Sequence, residues 1–194
     1  MSAQLLKPFR QRLILTAPAA LSPERLTNAV HAGDVAAVVF AAPCQPELIA
    51  CAQAAGAAAL VEAETWDEAR GADGLHIIEG ANAAALLAAR PGETMCGTAA
   101  SDRHAAMLAG EAGSDYVWFD GTGDLTAACT HAQWWQSLFE VPVVVAGQSC
   151  PQALHEMMAS RAEFIAMVDV FSDRVGGEAD VVAQVNARLD EAGA

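Results

Sequence analysis

A chain of 194 residues, 54% hydrophobic and 18% charged, has ample apolar surface for one substantial core and too little length for two. The formal net charge of −14, set against one lysine (Lys7) and nine arginines, repels a phosphate backbone and so excludes nucleic acid as a partner. The same composition excludes disorder, and no apolar run approaches the length of a membrane span.

From the N-terminus, MSAQLLKPFRQRLILTAPAALS has the outline of a signal peptide. Its apolar stretch is short and broken by Thr16 and Pro18, so RLILTAP, from Arg12, reads as a first strand. SPERLTNAVHAG follows as a helix with Ser22 as N-cap and Pro23 at the first helical position. AAVVFAA from Ala36 and AAALVEA from Ala57 are the next strands, and TWDEARG matches a capping box, Thr65 with Glu68, that predicts a helix. GLHII from Gly74 and TMCGTAA from Thr94 come next, and SDRHAAMLAGEAG is a helix opening on Ser101 and closing at Gly113. DYVWFDG, from Asp115, leads into DGTGDLTAACT, read as a lid or a glycine-rich connection. His131 starts the helix THAQWWQSLFE, whose Trp134 and Trp135 pack it onto the core. VPVVVAG from Val141 precedes AGQSCP, a helix start capped by Ser149. EFIAMVDVF from Glu163 precedes a last helix, EADVVAQVNARLDEAG, with Val181, Val182, Val185 and Leu189 on one face.

The strand starts recur about every 21 residues. Near-continuous apolar runs mark strands buried on both faces, as in parallel sheets. Three junctions, RGADGLHI, AGSDYVWF and SRAEFIAM, share a small residue and then an acid at the entry to a strand. Eight equivalent β-then-α units close most simply into a compact single-domain (β/α)8 TIM barrel over residues 1–194; an open doubly wound sheet is the alternative. Function then sits at the strand ends: Thr16, Ala41 to Cys44, Glu62 to Glu64, His76 to Gly80, Thr98 to Ser101, Asp120 to Asp124, Gly147 to Ser149 and Asp169 to Phe171. The five cysteines are odd in number and lack a CxxC, which indicates reduced, buried thiols and a cytoplasmic protein.

Each candidate has an ordinary structural reading beside the functional one. His76 lies in an apolar strand, where a hydrogen-bonded core histidine competes with a general base. Glu62, Glu64 and Glu79 end adjacent strands and have the oxygen chemistry for magnesium, although an acid at Glu64 also suits a helix start. AGQSCP has Gly-x-Ser, but Pro151 stands where a nucleophile elbow needs its second glycine. The backbone amides there still suit a phosphate.

GLHIIEGANA, GTAASDRHAAMLAGEAGSDYVWF and WWQSLFEVPVVVAGQS together resemble the thiamine-phosphate synthase and thiazole tautomerase family. The likeness runs from the third strand to the eighth and is strongest from Gly71 to Phe119. It implies a compact (β/α)8 barrel that joins a pyrimidine methyl diphosphate to a thiazole phosphate, with Mg2+ and basic side chains neutralising the departing diphosphate. Against the family pattern, the strand-two Gln-Leu-Arg-x-Lys is replaced by VFAAPC around Phe40. Asn-Asp after strand three becomes Val61-Glu62, which leaves Glu62 as the candidate metal ligand. His76 is retained from His-x-Gly-Gln-x-Asp, while Gly80 falls where the metal-binding aspartate belongs. Gly-x-Ser becomes Gly97-Thr98-Ala99, the Thr-x-Thr-Lys loop after strand six is absent, and the tautomerase histidine on strand five has Ser101 nearest. Gly-Gly-Ile becomes Ala146-Gly147-Gln148, and the serine of Val-Ser-Ala-Ile falls on Asp169.

The resemblance therefore marks His76, Glu79, Thr98, Gly147, Gln148 and Asp169 as substrate-binding positions and assigns no catalytic residue. It implies a thiamine-phosphate synthase-like transferase that is weak or inactive, with thiamine precursors or thiamine phosphate as ligands. One alternative is a non-catalytic barrel that binds a small ligand or a protein partner. Another is a different small-molecule enzyme using Glu62, His76 and Glu79.

Overall fold

In the computed structural model, which describes residues 10–78, 82–172 and 177–193, eight parallel strands close into a barrel in sequence order, β8 pairing back onto β1. The strands are β1 (Arg12–Ala17), β2 (Val35–Ala41), β3 (Ala58–Glu62), β4 (Gly74–Ile77), β5 (Met95–Ala99), β6 (Tyr116–Asp120), β7 (Val143–Gly147) and β8 (Phe164–Met167). The helices are α1 (Pro23–Val30), α2 (Pro46–Ala54), α3 (Ala83–Ala88), α4 (Arg103–Glu111), α5 (Leu125–Gln136), α6 (Pro151–Ser160) and α7 (Glu178–Gly193).

The strand side chains divide by the period of two into two cores. One set points inward and plugs the barrel: Ile14, Val39, Leu60, Tyr116, Trp118, Val144 and Ala166. The other set, including Leu13, Leu15, Val38, Phe40, Val145 and Ile165, points outward and meets the helices. The helices answer with apolar stripes, Leu26, Ala29 and Val30 on α1 and Val182, Val185 and Leu189 on α7. Trp135 is fully buried on α5, stacked on Phe139 with centroids 4.1 Å apart, and its indole donates to the Val141 carbonyl at 2.7 Å.

The acidic junctions have a common task. Asp73 accepts from the Ala59 amide at 2.8 Å, Asp115 from the Cys96 amide at 2.7 Å and Glu163 from the Val143 amide at 2.9 Å. Each acid precedes an even strand and ties it to the start of the odd strand before it. Asp34, before β2, holds the same position but binds the Arg12 and Arg10 guanidiniums at 2.8 and 2.9 Å.

Four local expectations are corrected. TWDEARG forms turns rather than a helix: Thr65 donates to Glu68 at 2.8 Å, but Gly71, at φ 87°, turns the chain into β4 too soon for one. The cap of α4 is Asp102, not Ser101, and its carboxylate accepts from the Ala105 amide at 2.8 Å. The cap of α6 is Cys150, not Ser149. The long loop after strand six is short, because Asp124 caps α5 at once and His131 falls inside that helix. Ser22 caps α1 as expected, accepting from the Arg25 amide.

Candidate functional site

A cavity of about 480 Å³ opens at the C-terminal ends of β3 to β6, where a barrel of this kind carries its chemistry. Its wall includes Glu62, His76, Trp118, Asp120, Asp124 and His131, with Ile78, Ala99 and Ala100 supplying apolar floor. Among the described residues, no lysine or arginine lines it.

Register explains how the floor is built. Glu62, His76, Gly97 and Tyr116 are successive neighbours across β3, β4, β5 and β6, all on the inner face. Gly97 has no side chain where a Cβ would lie 1.9 Å from the Tyr116 ring, so that ring crosses β5 and reaches β4. The Tyr116 hydroxyl then meets His76 Nδ1 at 3.0 Å. The His76 ring is packed between Tyr116, stacked at 5.9 Å, and Trp118, tilted at 4.8 Å.

Hydrogen-bond accounting assigns the tautomer. His76 Nδ1 is the only partner of the buried Tyr116 hydroxyl among the described residues, so the hydroxyl is satisfied when it donates to that nitrogen. Nε2 then carries the imidazole proton. No fully buried side-chain nitrogen or oxygen lacks a partner among the described residues. Nε2 has no hydrogen-bond partner among the described residues, and His76 lines the cavity. Burial lowers the His76 pKa to about 4, so the ring is neutral at ordinary pH.

Three described carboxylates line the cavity. Asp120 accepts from the Thr122 amide at 2.8 Å and Asp124 from the Ala127 amide at 2.9 Å, each through one oxygen. Glu62 has no hydrogen bond or ion pair among the described residues; partial burial, and then the Asp120 charge, push its pKa up. Among the described residues, no three His, Cys, Asp or Glu side chains converge on a metal position.

The residues marked by the sequence separate. His76 and Glu62 meet at the cavity. Glu79 lies outside the described residues, as does Gly80. Thr98 points to the helices, hydrogen-bonded to Ser114 at 2.6 Å, and Gly147 leaves room for Met157 of α6. Gln148 is exposed beyond β7 and does not line the cavity. Asp169 stands after β8 and accepts from the Ser149 amide at 2.8 Å, so a carboxylate already uses the backbone donor of that loop. Arg25, which reaches the Phe171 carbonyl at 3.2 Å, is paired with Glu178.

Asp120 and Asp124 lie in a strand-end stretch that the barrel reading marks. Tyr116 and Trp118 were not singled out, although their spacing of two from Asp120 places all three on one strand face. His131 reaches the rim because it is in mid-helix, four residues before the buried Trp135, with its ring 5.4 Å from Phe119.

The comparisons with known proteins decide the family. A family model described as thiamine monophosphate synthase matches residues 36–171. The chain belongs to that family. It is 31% identical to a thiamine-phosphate synthase of Rhodospirillum centenum (strain ATCC 51521 / SW), over 90% of this chain and 96% of that protein. A thiamine-phosphate synthase of Hyphomonas neptunium (strain ATCC 15444) is 29% identical over 93% of this chain and 95% of its own. The solved thiamine phosphate pyrophosphorylase from Pyrococcus furiosus superposes with a TM-score of 0.78 at 14% identity, covering 96% of this chain and 98% of that one, a likeness of fold. The family match thus extends the likeness back from the third strand to β2.

Proposed function

We propose that this chain is a thiamine-phosphate synthase-type protein of thiamine metabolism. In this reading it binds a thiamine-related small molecule and joins the pyrimidine diphosphate to the thiazole phosphate weakly or not at all. The observation that carries the reading is the charge of the barrel mouth: Glu62, Asp120 and Asp124 surround a cavity lined by no described lysine or arginine. A departing diphosphate needs cations around it, and each tenfold of rate corresponds to about 1.4 kcal/mol of barrier, so losing several cationic contacts lowers turnover by orders of magnitude. Asp169 on the Ser149 amide supports the same reading at the loops after β7 and β8. Mg2+ binding through Glu62 is the weakest part of the inherited chemistry, since no described carboxylate pair joins it at a metal position.

A quantitative assay tests this. With the pyrimidine diphosphate, thiazole phosphate and magnesium, thiamine phosphate should form at under about one percent of the rate of an intact family synthase. An ordinary synthase rate would sink the proposal. The second reading, a binding barrel with no turnover, rests on the same lining and corresponds to no product above the uncatalysed background.

A further inference from the structure

We propose that the outer face of α4 and α5 docks a second copy of this chain, antiparallel and related by a two-fold axis. His104 of each subunit then faces the partner's Glu111. This face is on the barrel's flank and uses none of the residues that line the mouth.

The exposed apolar side chains single out this sector. Among the described residues the exposed large hydrophobics are Met95, Met107, Leu108, Leu138 and Phe139, all between the start of β5 and the turn after α5. Leu108 and Leu138 are 52% and 64% exposed. The two helices present one surface: a Cβ on Gly110 would lie 2.9 Å from the Trp135 ring, and the Arg103 guanidinium lies 4.9 Å over Trp134. From Leu125 to Phe139 there is no Asp, Glu, Lys or Arg. Two copies of a chain at −14 repel one another, so they can meet only where carboxylates are few or answered.

The ridge of α4 identifies the occupant. His104, Met107, Leu108 and Glu111 are exposed and fall on one helix face at spacings of three and four. Reversing that ridge about the midpoint between Met107 and Leu108 returns the same pattern with its ends exchanged. His104 then meets the partner's Glu111, and Met107 meets the partner's Leu108. Each subunit offers what the other lacks, as an isologous contact requires. Neither His104 nor Glu111 has a side-chain hydrogen bond or ion pair among the described residues, and a neutral imidazole still has an N–H to donate to a carboxylate. Antiparallel packing also sets the positive start of each α4 beside the negative end of the other. A stable interface covers about 800 Å² per partner. That is under a tenth of the chain's 10030 Å² surface, and α4 and α5 are two of its seven described helices.

Sedimentation equilibrium of the full chain, from about 1 to about 100 µM, tests this, with a reductant present to keep the exposed Cys150 from linking copies. A species of twice the 20.1 kDa chain mass should form within that range. Leu108→Glu should weaken the association by about a hundredfold or more, and Met107→Lys repeats that test if the first variant loses its fold. His104→Glu, which sets two carboxylates face to face at both ends of the contact, should weaken it about tenfold. Adding Glu111→Lys to His104→Glu should restore the affinity, because the pairs re-form with opposite charges. The two positions are two turns apart on their own helix, too far to pair within one subunit, so that rescue reports the partner. Gln184→Glu, on α7, should change nothing. A monomer at the top of the concentration range would overturn the inference and leave the apolar face to some other protein. Association untouched by Leu108→Glu and Met107→Lys, or no rescue in the double variant, would overturn it as well. Circular dichroism melts of each variant separate a lost contact from a lost fold.

Discussion

His76 shows how a residue can be buried for the fold and still serve the site. Its Nδ1 meets the Tyr116 hydroxyl, which fixes ring orientation, and the residue lines the cavity. Burial depresses its pKa to about 4, below the value near 6.5 expected of the unfolded chain. Between those two pH values the unfolded chain holds a proton that the folded chain does not. The contribution is complete above pH about 6.5, declines as pH falls through the window and levels off near 4, a loss of about 3 kcal/mol from this one residue. Glu62, raised in the folded protein, slopes the opposite way, so the comparison must isolate His76. Urea unfolding at pH 7, 6, 5 and 4 should show a clearly shallower decline in His76→Gln than in the parent; parallel curves would mean that His76 is not buried neutral. The sequence made His76 legible as a strand histidine near the catalytic end. It did not reveal Tyr116 as its partner, because that residue lies two strands away and the contact depends on Gly97 being empty on the strand between, a packing fact with no local signature.

At the scale of elements, the strands were read well because both-face burial writes long apolar runs. Every expected strand start lies within two residues of the observed one. The segment TWDEARG was misread because Thr65 and Glu68 bond to each other rather than to backbone amides, and the short connection from β3 to β4 leaves no helix to cap. The repeated acidic junction was legible as a pattern, and the structure supplies its reason: each acid accepts from the first amides of the preceding odd strand. That reason predicts a cost. Asp115→Ala strips the Cys96 amide of its 2.7 Å acceptor and unpairs Arg90, and Asp73→Ala does the same to the Ala59 amide. Each should lower unfolding stability by about 1–3 kcal/mol, read from the urea midpoint at unchanged slope. The two acids serve different strand pairs, so the double variant should come within about 0.5 kcal/mol of the sum. A negligible change in both single variants would show that water replaces the carboxylates without loss.

Over the whole molecule, the barrel mouth divides into two halves of different legibility. On the β3 to β6 side, the acidic rim could be anticipated from strand ends alone, since any (β/α)8 barrel directs those residues to one face. On the β7 and β8 side, the sequence offered Gly147, Gln148 and Asp169 as substituted phosphate-loop positions, but their relation appears only when the loops are closed together. Asp169 then accepts from the Ser149 amide, so a carboxylate supplied by the fold sits on a donor that would otherwise meet an anion. It satisfies that amide and is one of the acids that bring the chain to −14. Removing it should reverse both effects at once. Asp169→Ala is expected to raise affinity for inorganic phosphate or thiazole phosphate by about tenfold or more over the parent chain, because the amide is freed and a like charge is withdrawn. Asp169→Asn, which keeps an acceptor on the Ser149 amide while losing the charge, should recover only part of that gain. If both variants bind phosphate no better than the parent, the loops after β7 and β8 have lost the geometry of an anion site as well as its charge.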